Sequence, residues 1–219
     1  MYKIIRIILI LTASLGFSLS VLASKKKFVF EPYLGTEYGS WGETQVITSG
    51  STQTTYDLSG YSLGYLLGGK VLYISGKMFL IGVDYNIGGG SRKYSEDESS
   101  SIDDNFEDVS MSKSSGGLVL GIFKKEWSFK FSFFPINNLI MEKGIIAGNN
   151  EITYSGNGLA VNFSYTVKPR INLNFEYVSN SYDTIEINGS SGDLPGDFSG
   201  VTYRDLSNSS YRIYLSFPF

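Results

Sequence analysis

Between Phe79 and Gly88 the odd positions Phe79, Ile81, Val83, Tyr85 and Ile87 are all apolar, whereas Gly82, Asp84, Asn86 and Gly88 between them are small or polar. A period of two belongs to a β-strand, whose successive side chains point to opposite faces. The same alternation runs through Leu159, Val161, Phe163, Tyr165 and Val167, through Trp127, Phe129, Phe131 and Phe133, and through Ile171, Leu173, Phe175 and Tyr177. After residue 23 no apolar run approaches the roughly 18 residues of a membrane helix.

Eight such segments can be read, at about 27–39, 58–72, 77–90, 115–125, 127–143, 153–168, 171–186 and 206–219. Their connections alternate in length. Short links fall near Tyr73 to Gly76, Lys124 to Glu126 and Lys168 to Arg170, while 40–57, 91–114, 144–152 and 187–205 are longer and polar. Lys25, Lys26, Lys27, Lys70, Lys77, Lys124, Lys125, Lys168 and Arg170 gather toward the short-link end, and acids collect in the long loops. Short turns on one side and long loops on the other, with one apolar and one polar face, predict an all-β fold: a transmembrane antiparallel up-and-down β-barrel of eight strands. Lipid offers no hydrogen-bond partner, so strands cross a bilayer only as a closed ring.

Aromatic residues near the strand ends are expected to form interfacial girdles, with Phe28, Tyr73 and Trp127 on one rim and Tyr38, Tyr85 and Tyr154 on the other. Pro32 and Pro135 interrupt good strands, and since proline donates no ladder hydrogen bond a bulge is expected at each.

The first 23 residues read as a secretory signal: Lys3 and Arg6 form a positive region, Ile7 to Leu19 an apolar one, and Val21-Leu22-Ala23 a small-residue cleavage site. The domain reading is therefore a signal peptide at 1–23 and one outer-membrane barrel at 24–219. Loss of Lys3 and Arg6 takes the formal charge from −3 to −5, which argues against nucleic acid as a partner. The chain has no Cys, so it has neither disulfides nor thiolate metal sites, and no His, the commonest general base and metal ligand.

In the last segment Tyr211, Ile213, Leu215, Phe217 and Phe219 alternate with Arg212, Tyr214, Ser216 and Pro218, and the chain stops on an aromatic. This terminal strand resembles the assembly signal of bacterial outer-membrane barrels, with Phe219 as its closing residue. With the signal segment and all eight strands, the mature chain resembles the small OmpA, OmpX and OmpW-like barrels. The likeness is one of pattern rather than of a residue motif, and Pro218 departs from it. It implies a bacterial outer-membrane location with both mature termini periplasmic and the long loops extracellular. The implied surroundings are outer-membrane lipid and lipopolysaccharide, and the implied assembly partner is the barrel assembly machinery.

Counting from the short-link ends, Glu31, Asp84, Lys130, Glu176 and Arg212 lie several residues into strands one, three, five, seven and eight, on the polar face. They are expected to form one band of paired charges in the lumen, because isolated charges there would be costly. Arg212 on the last strand and Glu31 on the first are expected to pair across the closing seam. An eight-stranded barrel is scarcely wider than its side chains, so such a band acts as a plug.

Two motifs invite a chemical reading. Gly60-Tyr61-Ser62-Leu63-Gly64 matches a nucleophile elbow by letter, yet an elbow needs a strand-to-helix turn and a histidine base, so Gly60, Ser62 and Gly64 read as small lumen-facing residues. Glu96, Asp97, Glu98, Asp103, Asp104, Glu107 and Asp108 crowd one long loop, but lack the glycine and terminal glutamate of a calcium loop. No catalytic residue, cofactor or metal site is assigned. The expected function is non-enzymatic: a structural or surface-interaction protein for adhesion or defence, its surface partner unspecified. The alternative is an OmpW-like channel for small hydrophobic molecules with a lateral exit at a proline-interrupted wall. A lipid-modifying enzyme is disfavoured by the missing histidine.

Overall fold

The computed structural model describes residues 28–49, 51–75, 78–94, 109–141, 151–187, 189–198 and 201–219. The signal segment and the acidic run from Glu96 to Asp108 lie outside them. Ten strands follow in order: β1 (Phe28–Ser49), β2 (Thr52–Ser75), β3 (Phe79–Tyr94), β4 (Val109–Lys124), β5 (Trp127–Met141), β6 (Ile152–Lys168), β7 (Ile171–Ile187), β8 (Ser190–Asp193), β9 (Gly196–Phe198) and β10 (Val201–Ser216). From β1 to β7 each strand pairs antiparallel with the next. β10 pairs with both β1 and β7, which closes a ring of eight. The short β8 and β9 lie outside that ring, hydrogen-bonded to the loop-side ends of β7 and β10.

Register fixes the tilt. Starting at Val29, cross-strand partners run to Leu72, Gly82, Val119, Ser132, Ala160, Val178 and Ser210, and return to β1 at Gly39, ten residues beyond the start. A displacement of this size is the shear a closed barrel of tilted strands requires. Side chains at one height are thus never direct cross-strand partners all the way round.

Alternation sorts the two faces as expected over the lower part of the barrel. Leu34, Val83, Leu120, Phe131, Val161, Phe175 and Ile213 are exposed on the outside, while Ser62, Asp84, Lys130, Asn162, Glu176 and Arg212 are buried inside. Toward the loop end the pattern inverts. There the outer wall carries exposed Ser59, Lys93, Ser112, Asn157, Ser179, Ser181, Asp183 and Ser207. The interior is apolar, with Val109, Met111, Leu139, Met141, Ile152, Tyr154, Tyr182, Ile185, Ile187, Val201, Tyr203 and Leu206 in one buried cluster, against which Ile47 and Leu194 pack. A wall apolar outside and polar inside suits lipid. The reverse suits water, so the strands outlast the lipid-facing belt and continue as a water-soluble barrel with its own core.

This inversion accounts for the main departure from the sequence reading. Within the supposed loop 40–57, residues 40–49 and 52–57 continue β1 and β2, paired in unbroken register up to Ser49 and Thr52. Outside lipid its outward positions need not be apolar, so the alternation fades from the sequence while Thr and Ser keep the strand going. The connections read at 91–114 and 187–205 are cut into by strand as well, since β3 reaches Tyr94, β4 starts at Val109 and β10 at Val201, whereas β5 ends at Met141 and β6 begins at Ile152, about where the sequence reading put them.

The two prolines differ. Around Pro135 the register shifts on both sides, between Gly116 and Leu118 on β4 and between Phe134 and Asn137 on β5, so the expected bulge is present. Pro32 makes none: it sits in regular register opposite Gly69, and its carbonyl accepts from the Phe217 amide. Its missing N–H faces the last residues of the chain, so proline is tolerated there.

Candidate functional site

The interior of the lipid-facing section is filled by charged and polar side chains in layers. At the short-turn end Glu31 accepts from Lys130 Nζ at 3.0 and 3.2 Å and from the hydroxyl of Ser216. One layer up, Lys70 Nζ lies 3.6 Å from both Asp84 and Glu176 and donates to the Tyr214 hydroxyl at 2.6 Å. Tyr33 donates to Asp84 at 2.6 Å and Tyr214 to Glu176 at 3.0 Å, and their rings flank the Lys70 ammonium at 4.9 and 5.0 Å. Room for these rings comes from glycines. A Cβ on Gly68 would strike the Tyr33 ring, and one on Gly35 would strike the Cβ of Tyr214.

Above this, Arg212 donates from Nε to Glu37 at 2.9 Å and from Nη1 to Glu176 at 3.1 Å, and Lys113 also bonds Glu37. A belt of amides follows, Asn137 donating to Asn180 and Asn180 to Asn208, each at 3.0 Å. The last charged layer meets the apolar core. Arg92 lies 3.6 Å from Glu43 with its guanidinium against the Trp41 ring, and Tyr154 donates to Glu43 at 2.9 Å.

Five acids, Glu31, Glu37, Glu43, Asp84 and Glu176, therefore face five bases, Lys70, Arg92, Lys113, Lys130 and Arg212, and all ten are buried. The described interior is electrically balanced, and each charge has an opposite one within ion-pair distance. In a medium poor in water, mutual pairing of this kind is what makes buried charges tolerable.

The structure places all five residues singled out from the sequence, Glu31, Asp84, Lys130, Glu176 and Arg212, inside the barrel within the two lower tiers and their junction with Glu37. One expected pair is different: Arg212 meets Glu37 and Glu176, whereas Glu31 is taken by Lys130. The cause is register, since Glu37 stands directly opposite Arg212 across the β1–β10 seam. Lys70, read as a rim charge, is fully buried at the centre of the network. Tyr154, read as a girdle residue, is 1% exposed and faces inward, because it shares the parity of inward-facing Gly158 and Ala160. The other girdle residues stay outside, Phe28 and Tyr73 in ring contact at 5.1 Å.

Sequence reading missed Tyr33, Glu37, Glu43, Arg92, Lys113 and Tyr214. Parity alone would have found them: Arg92 repeats the phase of Asp84, Lys113 that of Val119, and Tyr214 that of Arg212. Gly60 to Gly64 lies inside β2 with Ser62 buried between outward Tyr61 and Leu63, so no elbow is formed. At the chain end Tyr211, Ile213, Leu215 and Phe219 are exposed on the outer face. Phe219 exchanges backbone hydrogen bonds with Phe30, which extends the closing seam past Phe217.

No protein family and no curated protein sequence matches the chain. Solved structures do. The chain is similar to the outer membrane protein AlkL, at 13% identity over 88% of this chain and 90% of that one, with a TM-score of 0.53. It is also similar to OprG of Pseudomonas aeruginosa, at 10% identity over 88% and 96% of the two chains and a TM-score of 0.44. The outer membrane protease OmpT of Escherichia coli matches at 14% identity over 90% and 98%, with a TM-score of 0.42. AlkL is an outer membrane protein, and the chain shares its fold, an antiparallel β-barrel.

Proposed function

We propose that this outer-membrane barrel is a closed, non-enzymatic protein whose work is done at its outer face, in support of the envelope or in adhesion or defence. The observation that carries this reading is the balanced set of ten buried charges, stacked beneath an apolar core that fills the loop end. An eight-stranded lumen is scarcely wider than its side chains, so a stack of paired charges acts as a plug, and a network without net charge gives no overall preference for ions of one sign. What remains for interaction is the water-facing upper barrel and its loops. A conduit for small hydrophobic molecules would need the cluster around Ile185 to be a cavity, whereas these side chains pack on one another.

In this reading both mature termini are periplasmic and the β1–β2 hairpin is extracellular. Cysteine placed at Thr52, at the hairpin tip, is expected to react with an impermeant thiol reagent on intact cells. Cysteine at Ser75 is expected to react only after the outer membrane is opened. The opposite labelling would reject the topology and with it the surface role.

Recognition by the barrel assembly machinery is assigned to Tyr211, Ile213, Leu215, Phe217 and Phe219. Phe219→Ser removes an outward apolar group that is 60% exposed but leaves its backbone bonds to Phe30 possible. Inserted protein is expected to fall severalfold in cells, while refolding of the purified variant into detergent proceeds normally. Unchanged insertion would remove the assembly role.

A further inference from the structure

Near the short-turn end the outer wall is grooved. A depression of about 490 Å³ runs over β4, floored by Leu120 and Ile122 and walled by Phe79 and Ile81 on β3 and by Phe129 and Phe131 on β5. The outward row of β4 continues from Leu120 and Ile122 to exposed Lys124, and the turn adds exposed Lys125. The cross-strand partner of Lys124 is Trp127, which prolongs the wall of Phe129 and Phe131. An apolar slot open to lipid thus points along the outward row of β4 to the cation Lys124, beside an interfacial tryptophan, whereas Lys125 lines the separate cavity at the lumen mouth with Glu31 and Lys130. Among the described residues of this rim, exposed Lys124, Lys125, Lys168 and Arg170 outnumber the acid Glu126.

We propose that this groove is a binding site for an anionic phospholipid of the phosphatidylglycerol kind. One acyl chain lies along Leu120 and Ile122 between the aromatic walls, and the phosphate rests against Lys124. A zwitterionic lipid fits the same slot, but its own ammonium group competes with the lysine for the phosphate, so the preference is for net negative charge. The site rests on the reading that this wall faces lipid, and needs neither the proposed topology nor a closed lumen.

The test uses the refolded full-length barrel in symmetric bilayers of phosphatidylcholine with a minor fraction of phosphatidylglycerol, one or the other carrying brominated acyl chains. Bromine quenches Trp127 from the groove, whereas Trp41 inside the barrel gives a lipid-independent background. Brominated phosphatidylglycerol is expected to bind about fivefold more tightly than its phosphatidylcholine counterpart, the ratio one lysine near an anionic surface supplies. Lys124→Gln is expected to abolish the preference with folding intact by circular dichroism. Lys168→Gln with Arg170→Asn, on the next turn, is expected to retain it. Equal quenching by both lipids, equal loss on changing Lys168 and Arg170, or displacement by excess inorganic phosphate would each overturn the site. Absence of quenching by either lipid would instead show that the wall does not meet lipid.

Discussion

Arg212→Ala is expected to produce the largest loss of stability of any single change in the lumen. Arg212 is 2% exposed and is the link between Glu37 and Glu176, so its removal leaves one unbalanced negative charge among acids that have already lost their water. Breaking a buried pair this way costs about 3 to 5 kcal/mol. For a chain of this size that corresponds to a fall of roughly 6 to 20 °C in the unfolding temperature. Restoring neutrality identifies the cause. Arg212→Ala combined with Glu176→Gln is expected to recover part of the loss, since Lys70 keeps Asp84. Arg212→Ala combined with Glu31→Ala is expected to be worse than the single change, because it strands Lys130. Thermal unfolding followed by circular dichroism separates the cases. Recovery with Glu31→Ala but not with Glu176→Gln would show that the layers are wired differently.

Ile185→Ala is expected to destabilise the loop end by about 2 to 5 kcal/mol, the usual cost of emptying a packed site. Ile185 is fully buried within the upper apolar cluster, although its strand there has left the lipid-facing belt. Its neighbour Glu186 is exposed on the outside, and Glu186→Ala is expected to fall within about 0.5 kcal/mol of the parent. The contrast tests the inversion of the wall. Were Ile185→Ala neutral, the upper interior would not be a core, and a cavity open to apolar solutes would replace it.

The period-two pattern made the ring of strands and the inward set Glu31, Asp84, Lys130, Glu176 and Arg212 legible, because lipid on one side and a polar lumen on the other force every second residue to differ in kind. Where lipid ends, that constraint ends. The stretches 40–49 and 52–57 still form strand, but their outward Ser and Thr carry no apolar signature. Partner choice was hidden for another reason. The ten-residue displacement around the barrel tilts every layer, so distance from a strand end is a poor measure of height. Glu31 therefore looked like the partner of Arg212, and Lys70 looked like a rim residue. Recording the parity of each strand to its full length would have added Glu37, Glu43, Arg92 and Lys113, but not the register that joins Glu37 to Arg212.

Single-channel recording in planar bilayers tests the closed lumen most directly. The purified, fully folded parent protein is expected to insert without steady conductance, because five acids and five bases occupy the path and the apolar core covers it. Arg212→Ala is expected to show at most brief, irregular openings together with its lowered unfolding temperature. Steady conductance by the parent, with Arg212→Ala changing ion selectivity while leaving stability untouched, would contradict the account and make the barrel a pore.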